Sequence, residues 1–492
     1  MGIIRKQSIQ GSALSYIGVA LGFVNVILLF PALFEPEQFG LTRVLVAVVG
    51  VASQFALLGV SNIIIRFFPE FADSKNSNHG LIGLAMRVAL LGTLIVSLVL
   101  LLLRPWVVAH YANKSALFVD YFYLLFPYLI FEVYNQIFTS YTRSMYHSVV
   151  NVFFREVFLR MGVTVIIGVY WLQLIDFDDF MRLFIGLYGL MTVGLLAYLI
   201  QIGQFSLKLD NAFLTIELRK RLVHYGSFTL LTNVSSLMLM SVDIIMISAM
   251  IGLGETAFYS VAFYIIALLN IPRNAIANIS VPVISQAWKD NDLVLIQKIY
   301  AKTSINQLLI GTLILVGLWA NEHNIFQILP DKYAGGKWVL LIIGIARLAD
   351  VGFGINGGII STSNWYKFDT YANVCLIVVT VILNLVFIPK YGINGAAIAT
   401  AISLISFQLA RYIFLKIKFN FDPFSVKSIS TLVLGAVAYF VSSLIPEQTL
   451  YLDIVLRSLT IIAIYLPLSY VFKLSEDANQ FVDLLINRYT KG

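Results

Sequence analysis

Charge is what this sequence has least of. Only 12% of its 492 residues are Asp, Glu, Lys or Arg, about half the share a water-soluble domain carries, so the chain lacks the polar surface to cover itself in water. That excludes a soluble enzyme. Disorder is excluded too, since 59% hydrophobic and 14% aromatic content is the opposite of a disordered composition. Cysteine is nearly absent: Cys375 stands alone, so an internal disulfide and a thiolate metal cluster are both ruled out. The histidines, His79, His110, His147, His224 and His323, are scattered without metal-ligand spacing. No G-x-x-x-x-G-K-S/T loop is present, which argues against ATP as the direct energy source. Nothing in the sequence calls for a cofactor, a metal or nucleic acid.

What the sequence does have is apolar runs of about 20 residues, the length that spans a hydrocarbon core of about 30 Å at 1.5 Å per residue. The short alternating strands of an outer-membrane barrel are not seen. The expected fold class is therefore all-α and polytopic. Runs and breaks place about fourteen transmembrane helices near 12–34, 41–63, 81–103, 119–142, 155–174, 181–203, 226–250, 256–279, 303–320, 337–360, 370–388, 394–415, 427–445 and 453–472. The first run is too long for a signal-peptide core, and Lys6 falls where a myristoylation signal needs Ser or Thr.

Basic residues test this topology, because Lys and Arg concentrate in cytoplasmic connections. Even-numbered connections and the termini hold 22 of the 33, Lys75, Arg155, Arg160, Arg411 and Lys491 among them, against 8 in odd-numbered connections. Both termini are thus expected in the cytoplasm, and the net charge of +7 follows from topology. The Arg219, Lys220 and Arg221 cluster fits an anchor for anionic lipid. The longest connection, 204–225, lies mid-chain, and weak echoes recur at a constant offset: Asn25 with Asp243, Phe39 with Phe258, Ser144 with Ser363. Two six-span halves of like orientation are expected. The corresponding division is 1–215 for spans one to six, 216–420 for spans seven to twelve, and 421–492 for spans thirteen and fourteen with a tail.

Five stretches carry a family signature: FEPEQFGL from Phe34, RFFPEF from Arg66, DIIMISAMIGLGETAFYSVA from Asp243, PVISQAWKDND from Pro282 and IPKYGINGAAIAT from Ile388. Together they resemble the oligosaccharide flippases of the polysaccharide transporter (Wzx-like) family, within the multidrug/oligosaccharidyl-lipid/polysaccharide (MOP) exporter superfamily. The resemblance implies a V-shaped pair of six-helix lobes around a cavity that opens alternately to either side. It implies a polyprenyl-pyrophosphate-linked oligosaccharide as cargo, an O-antigen, capsule or exopolysaccharide repeat unit moved from the cytoplasmic to the outer leaflet of a bacterial inner membrane. Membrane lipid and polysaccharide-assembly proteins are the further partners it implies. Peptidoglycan-precursor flippases carry GFVR in the first span; this chain has GFVN, with Asn25 in the arginine's place, which argues against that cargo.

The residues point to a site independently. A charge deep in the bilayer costs roughly 2.5–3.5 kcal/mol, so it faces a cavity or a partner. Arg347 and Asp350 share a helix face three residues apart. They read either as a cation for pyrophosphate beside an acid for H+ or Na+, or as a self-neutralising pair. Gly344, Gly352, Gly354, Gly357 and Gly358 around them invite an interrupted helix. Asn270, Asn274 and Asn278 form a stripe beside Arg273, and Glu132, Asn135, Gln136 and Thr139 form another, each a candidate hydrated wall or an interhelical hydrogen-bond seam. The candidate cargo residues are Arg347, Arg273, Arg66, Asn270, Asn274, Asn278 and Asn25. Asp350, Glu132 and Asp243 are the candidate ion-coupling acids.

Three other functions compete. A cation-coupled drug or metabolite antiporter of the same superfamily would share the fold, but several deep arginines would repel an organic cation. A polytopic polymerase or glycosyltransferase could use Asp176-Phe177-Asp178-Asp179 as a metal-binding DxD, yet that stretch is expected on the outer side, away from nucleotide sugars. An inert scaffold would have no need to bear the cost of deep charges. The expectation is a secondary, non-enzymatic transporter.

Overall fold

The computed structural model describes residues 2–73, 77–210 and 212–490; Lys75 and Lys491 of the topology count lie outside them. Helices are the only regular structure there, with no strand among the described residues. Nine described helices are long and apolar enough to cross a membrane, or ten if the helix pair Ile216–Leu239 and Ser241–Met250, bent by 56°, is one span. This is a multi-pass membrane protein. The expected fourteen are not reached by this criterion, for identifiable reasons. Leu125–Ser144 carries Glu132, Asn135 and Gln136. Leu159–Trp171 has only 13 residues after a π-helical turn at Phe153–Phe158. Lys337–Gly352 stops after 16, and Tyr366–Phe419 joins two expected spans in one 54-residue element.

Contacts divide the chain into Met1–Ala257 and Phe258–Gly492. In the first unit, FEPEQFGL is a helix start. Glu35 caps Pro36–Leu57 in a capping box with Gln38, and Pro36 takes the first helical position, where its missing N–H costs nothing. Phe30 and Phe39 stack 4.8 Å apart, and Phe34 stacks on Tyr170 at 4.5 Å. Gly40 is there for contact: a Cβ on it would lie 1.9 Å from the carbonyl oxygen of Leu253, so only glycine lets the two backbones meet. RFFPEF ends the helix Val60–Phe71, whose Phe71 is fully buried and packs on Phe213 at 4.9 Å. Leucines such as Leu98 and Leu102 on the helix Leu81–Tyr111 stay exposed, as a lipid-facing surface requires.

In the second unit, IPKYGINGAAIAT makes a turn within Tyr366–Phe419. Gly392 takes φ 60°, ψ −139°, a region closed to most side chains. A Cβ on Gly395 would lie 2.1 Å from the oxygen of Phe387, eight residues back, which in a continuous helix would be about 12 Å away. The chain therefore doubles back there. PVISQAWKDND finishes the helix Asn270–Lys289: the Trp288 indole donates to Ile359 O at 3.0 Å, and Asp292 caps the next helix by accepting from Leu295 N at 2.9 Å. Asp453, 3% exposed, binds Arg457 Nε and Asn324 Nδ2, each at 2.6 Å. The amphipathic helix Glu476–Thr490 is held by Lys302 and Asn306, which donate to Asp477 at 2.9 and 2.8 Å.

Candidate functional site

A buried charge network lies in the second unit, around Asp350. The helix Lys337–Gly352 carries Arg347 and Asp350 near its end, and Gly354 at φ +63° breaks the path before Asn356–Ser361 begins. The interruption expected from the glycine density is therefore present. Asp350 Oδ2 receives Arg273 Nη1 at 3.1 Å and Arg347 Nη1 at 3.5 Å, while Gln408 Nε2 donates to Oδ1. Asn356 Nδ2 and Arg411 Nη1 donate to Gln408 Oε1 at 3.2 and 3.4 Å. Arg411 also binds Asp369 Oδ1, through Nε at 2.7 Å and Nη2 at 2.6 Å, and lies over the Phe407 ring at 4.0 Å. Gly357 makes room for it, since a Cβ there would come within 3.0 Å of Nη1.

Three guanidiniums thus face two carboxylates, an excess of one positive charge. The side chain of Asp350 is 4% exposed and that of Arg347 13%, whereas Arg273 keeps 32%. Arg347 lies 5.7 Å over the Phe263 ring, and its Nε is buried with no hydrogen-bond partner among the described residues. The cluster can hold an anion, because planar guanidiniums bind phosphate oxygens in pairs. On the neighbouring stripe Asn270 is half-buried, and Asn274 and Asn278 are exposed.

The first unit holds a second, smaller network. Gln136 Nε2 donates to Glu132 Oε1 at 2.9 Å and to Ser53 Oγ at 3.1 Å, and Gln54 Nε2 donates to Gln136 Oε1 at 2.9 Å. Arg155 Nη1 stands 3.8 Å from Glu132, and Asn135 Nδ2 is buried without a described partner. Asn25 is 3% exposed, and its Nδ2 donates to Arg160 O at 2.9 Å while its Oδ1 accepts from Thr164 at 2.8 Å. It sits in a π-helical turn, Val24–Leu29. Arg66 is exposed and lies 4.4 Å over the Tyr225 ring. Asp243 is buried in the helix Ile216–Met250, 5% exposed.

The sequence missed Gln408, Asn356, Asp369 and Arg411. Arg411 counts there as a cytoplasmic cation, yet it is 8% exposed inside a helix and paired with an acid 42 residues away. No local spacing could announce that pair. Asp176 of the DxD-like stretch is a helix cap, its carboxylate accepting from Asp179 N at 2.8 Å.

Fold and site together define a multi-pass helical membrane protein with charge networks buried among its helices. The family model described as "Polysaccharide biosynthesis protein" matches residues 6–288, more than half of the chain, and the chain belongs to that family. A probable low-salt glycan biosynthesis flippase, Agl15 of Haloferax volcanii, is 22% identical over 236 residues, 47% of this chain and 50% of that protein. The chain therefore spans about half the length of the curated relative it matches. Among solved structures, the lipid II flippase MurJ in an inward closed conformation superposes with a TM-score of 0.75 at 15% identity, covering 94% of this chain and 98% of MurJ. An inward-facing multidrug resistance MATE transporter of the MOP superfamily gives 0.60 at 14% identity, covering 83% and 94%. The fold is thus the one that MurJ and the MATE transporter share.

Proposed function

We propose that this protein flips a polyprenyl-pyrophosphate-linked oligosaccharide, a surface-polysaccharide repeat unit, from the cytoplasmic to the outer leaflet of a bacterial inner membrane by alternating access. Both termini lie in the cytoplasm in this reading. The observation that carries it is the Asp350 cluster: buried arginines in excess of acids, with Arg347 Nε uncommitted and Arg273 a third exposed. Arg273 and Arg347 hold the pyrophosphate. Asp350 is the acid that takes up H+ or Na+ when the phosphate draws the arginines away, which couples cargo release to an ion gradient. Asn270, Asn274 and Asn278 offer amides to sugar hydroxyls, Arg66 attracts the anionic headgroup, and Glu132 and Asp243 are further coupling acids. Membership of a polysaccharide-biosynthesis family and similarity to a glycan flippase support the cargo class.

The test is the leaflet distribution of lipid-linked oligosaccharide in the native host with the intact gene, its deletion, and Asp350→Asn with Arg347→Ala. Accumulation on the cytoplasmic leaflet in the last two strains is expected. A normal distribution in all three, in a host cleared of redundant flippases, would move the assignment to small-molecule antiport.

A further inference from the structure

Away from both polar networks, the first unit contains an apolar groove of about 590 Å³, within the roughly 300–1,000 Å³ of ligand-binding pockets. Its walls come from four parts of the chain: Ile63 on Val60–Phe71, Leu84 and Val88 on Leu81–Tyr111, Leu209 in the mid-chain connection, and Leu222 on Ile216–Met250. Arg219 is the one charged residue that lines it. That arginine stands in the first turns of its helix, where the backbone dipole also favours an anion. Its neighbour Arg221 is committed to Glu70 at 2.8 Å, whereas Arg219 and Lys220 make no ion pair with a described residue.

We infer that this groove is a binding site for an anionic phospholipid, with one acyl chain laid along the apolar walls and the phosphate held by Arg219. Charge complementarity selects the occupant. A groove whose lining is largely apolar and carries one charge, an arginine, matches an amphiphile with an apolar tail and an anionic head. A zwitterionic lipid balances its phosphate with its own ammonium and leaves the net charge of Arg219 uncompensated, and a soluble phosphate would leave the apolar walls in water. The occupant is a lipid of the surrounding bilayer and is distinct from the transported cargo.

The full-length protein, purified in detergent and examined by native mass spectrometry, is titrated with dioleoyl phosphatidylglycerol and with dioleoyl phosphatidylcholine. Wild type is expected to retain phosphatidylglycerol preferentially. Arg219→Gln should reduce that preference about fivefold, the worth of one basic residue at an anionic surface. Val223→Trp, at a position 71% exposed on the groove's edge, should remove the bound lipid while leaving the thermal midpoint intact. Equal retention of the two lipids by wild type would overturn the site, as would retention unchanged in both variants. Displacement of phosphatidylglycerol by a stoichiometric amount of undecaprenyl phosphate would overturn the assignment to bilayer lipid and give the groove to the cargo tail.

Discussion

Substituting Asp350→Asn keeps the shape of the side chain and removes its charge, leaving Arg273 and Arg347 facing each other without an anion. Breaking a buried ion pair by neutralising one partner costs about 3–5 kcal/mol, because the other charge stays desolvated. The structure sets where in that range this case falls. Arg273 is 32% exposed and rehydrates in part, whereas Arg347 at 13% cannot, so the lower end, about 3 kcal/mol, is expected. For a unit of 235 residues, Phe258–Gly492, this corresponds to a fall of roughly 6–12 °C in the thermal midpoint, at about 2–4 °C per kcal/mol. Adding Arg347→Gln removes one stranded cation and should recover part of the loss, with a coupling of about 1.5 kcal/mol, in the range for directly touching residues. The assay is thermal unfolding of the wild type, the two single variants Asp350→Asn and Arg347→Gln, and the double variant in one detergent and lipid mixture, at low and high salt. A midpoint shift below about 1 °C, strictly additive variants, or a loss that salt abolishes as for an exposed pair would refute the reasoning.

Gly40→Ala puts a methyl group 1.9 Å from Leu253 O and should cost about 1–3 kcal/mol, the usual penalty of overpacking, read as a lowered thermal midpoint. Asn25→Ala should cost about 1–3 kcal/mol through its two lost buried hydrogen bonds, with cargo binding per folded molecule unchanged; an effect on binding alone would mean that the amide faces cargo. The C-terminal helix should respond to pH. The hydrogen bond from Lys302 holds the Asp477 carboxyl below its usual range. A depressed folded pKa gives stability that is present above the unfolded value, about 3.9, and is lost as pH falls through the folded one. Limited proteolysis of the segment Glu476–Thr490 should therefore stay slow at neutral pH and accelerate only below about pH 4; equal rates from pH 3 to 7 would contradict this.

Much of the fold was legible because apolar length and low charge act locally. A run of 20 apolar residues must be a helix in lipid, since no other single-chain segment satisfies its own backbone. FEPEQFGL and IPKYGINGAAIAT were visible as signatures, yet their purposes are geometric: a capping box and a close backbone approach at Gly40, a turn at Gly392 and Gly395. The pairing of Arg347 with Asp350 was legible because three residues on a helix share a face. Arg273 could be placed next to a polar stripe, but its contact with Asp350 spans 77 residues and no periodicity encodes it.

The sequence by itself determined that this chain is a multi-span helical membrane protein and that a few charges inside its spans need an explanation, because both follow from the cost of moving residues from water into hydrocarbon. Only the tertiary structure decided which charges answer one another. It joined Asp350 to Arg273 and Gln408, gave Arg411 to Asp369, and set the Asn25 amide against Arg160 and Thr164. Burial cost is a property of each residue, but compensation is a property of a pair, and pairs distant in sequence are chosen by how helices pack.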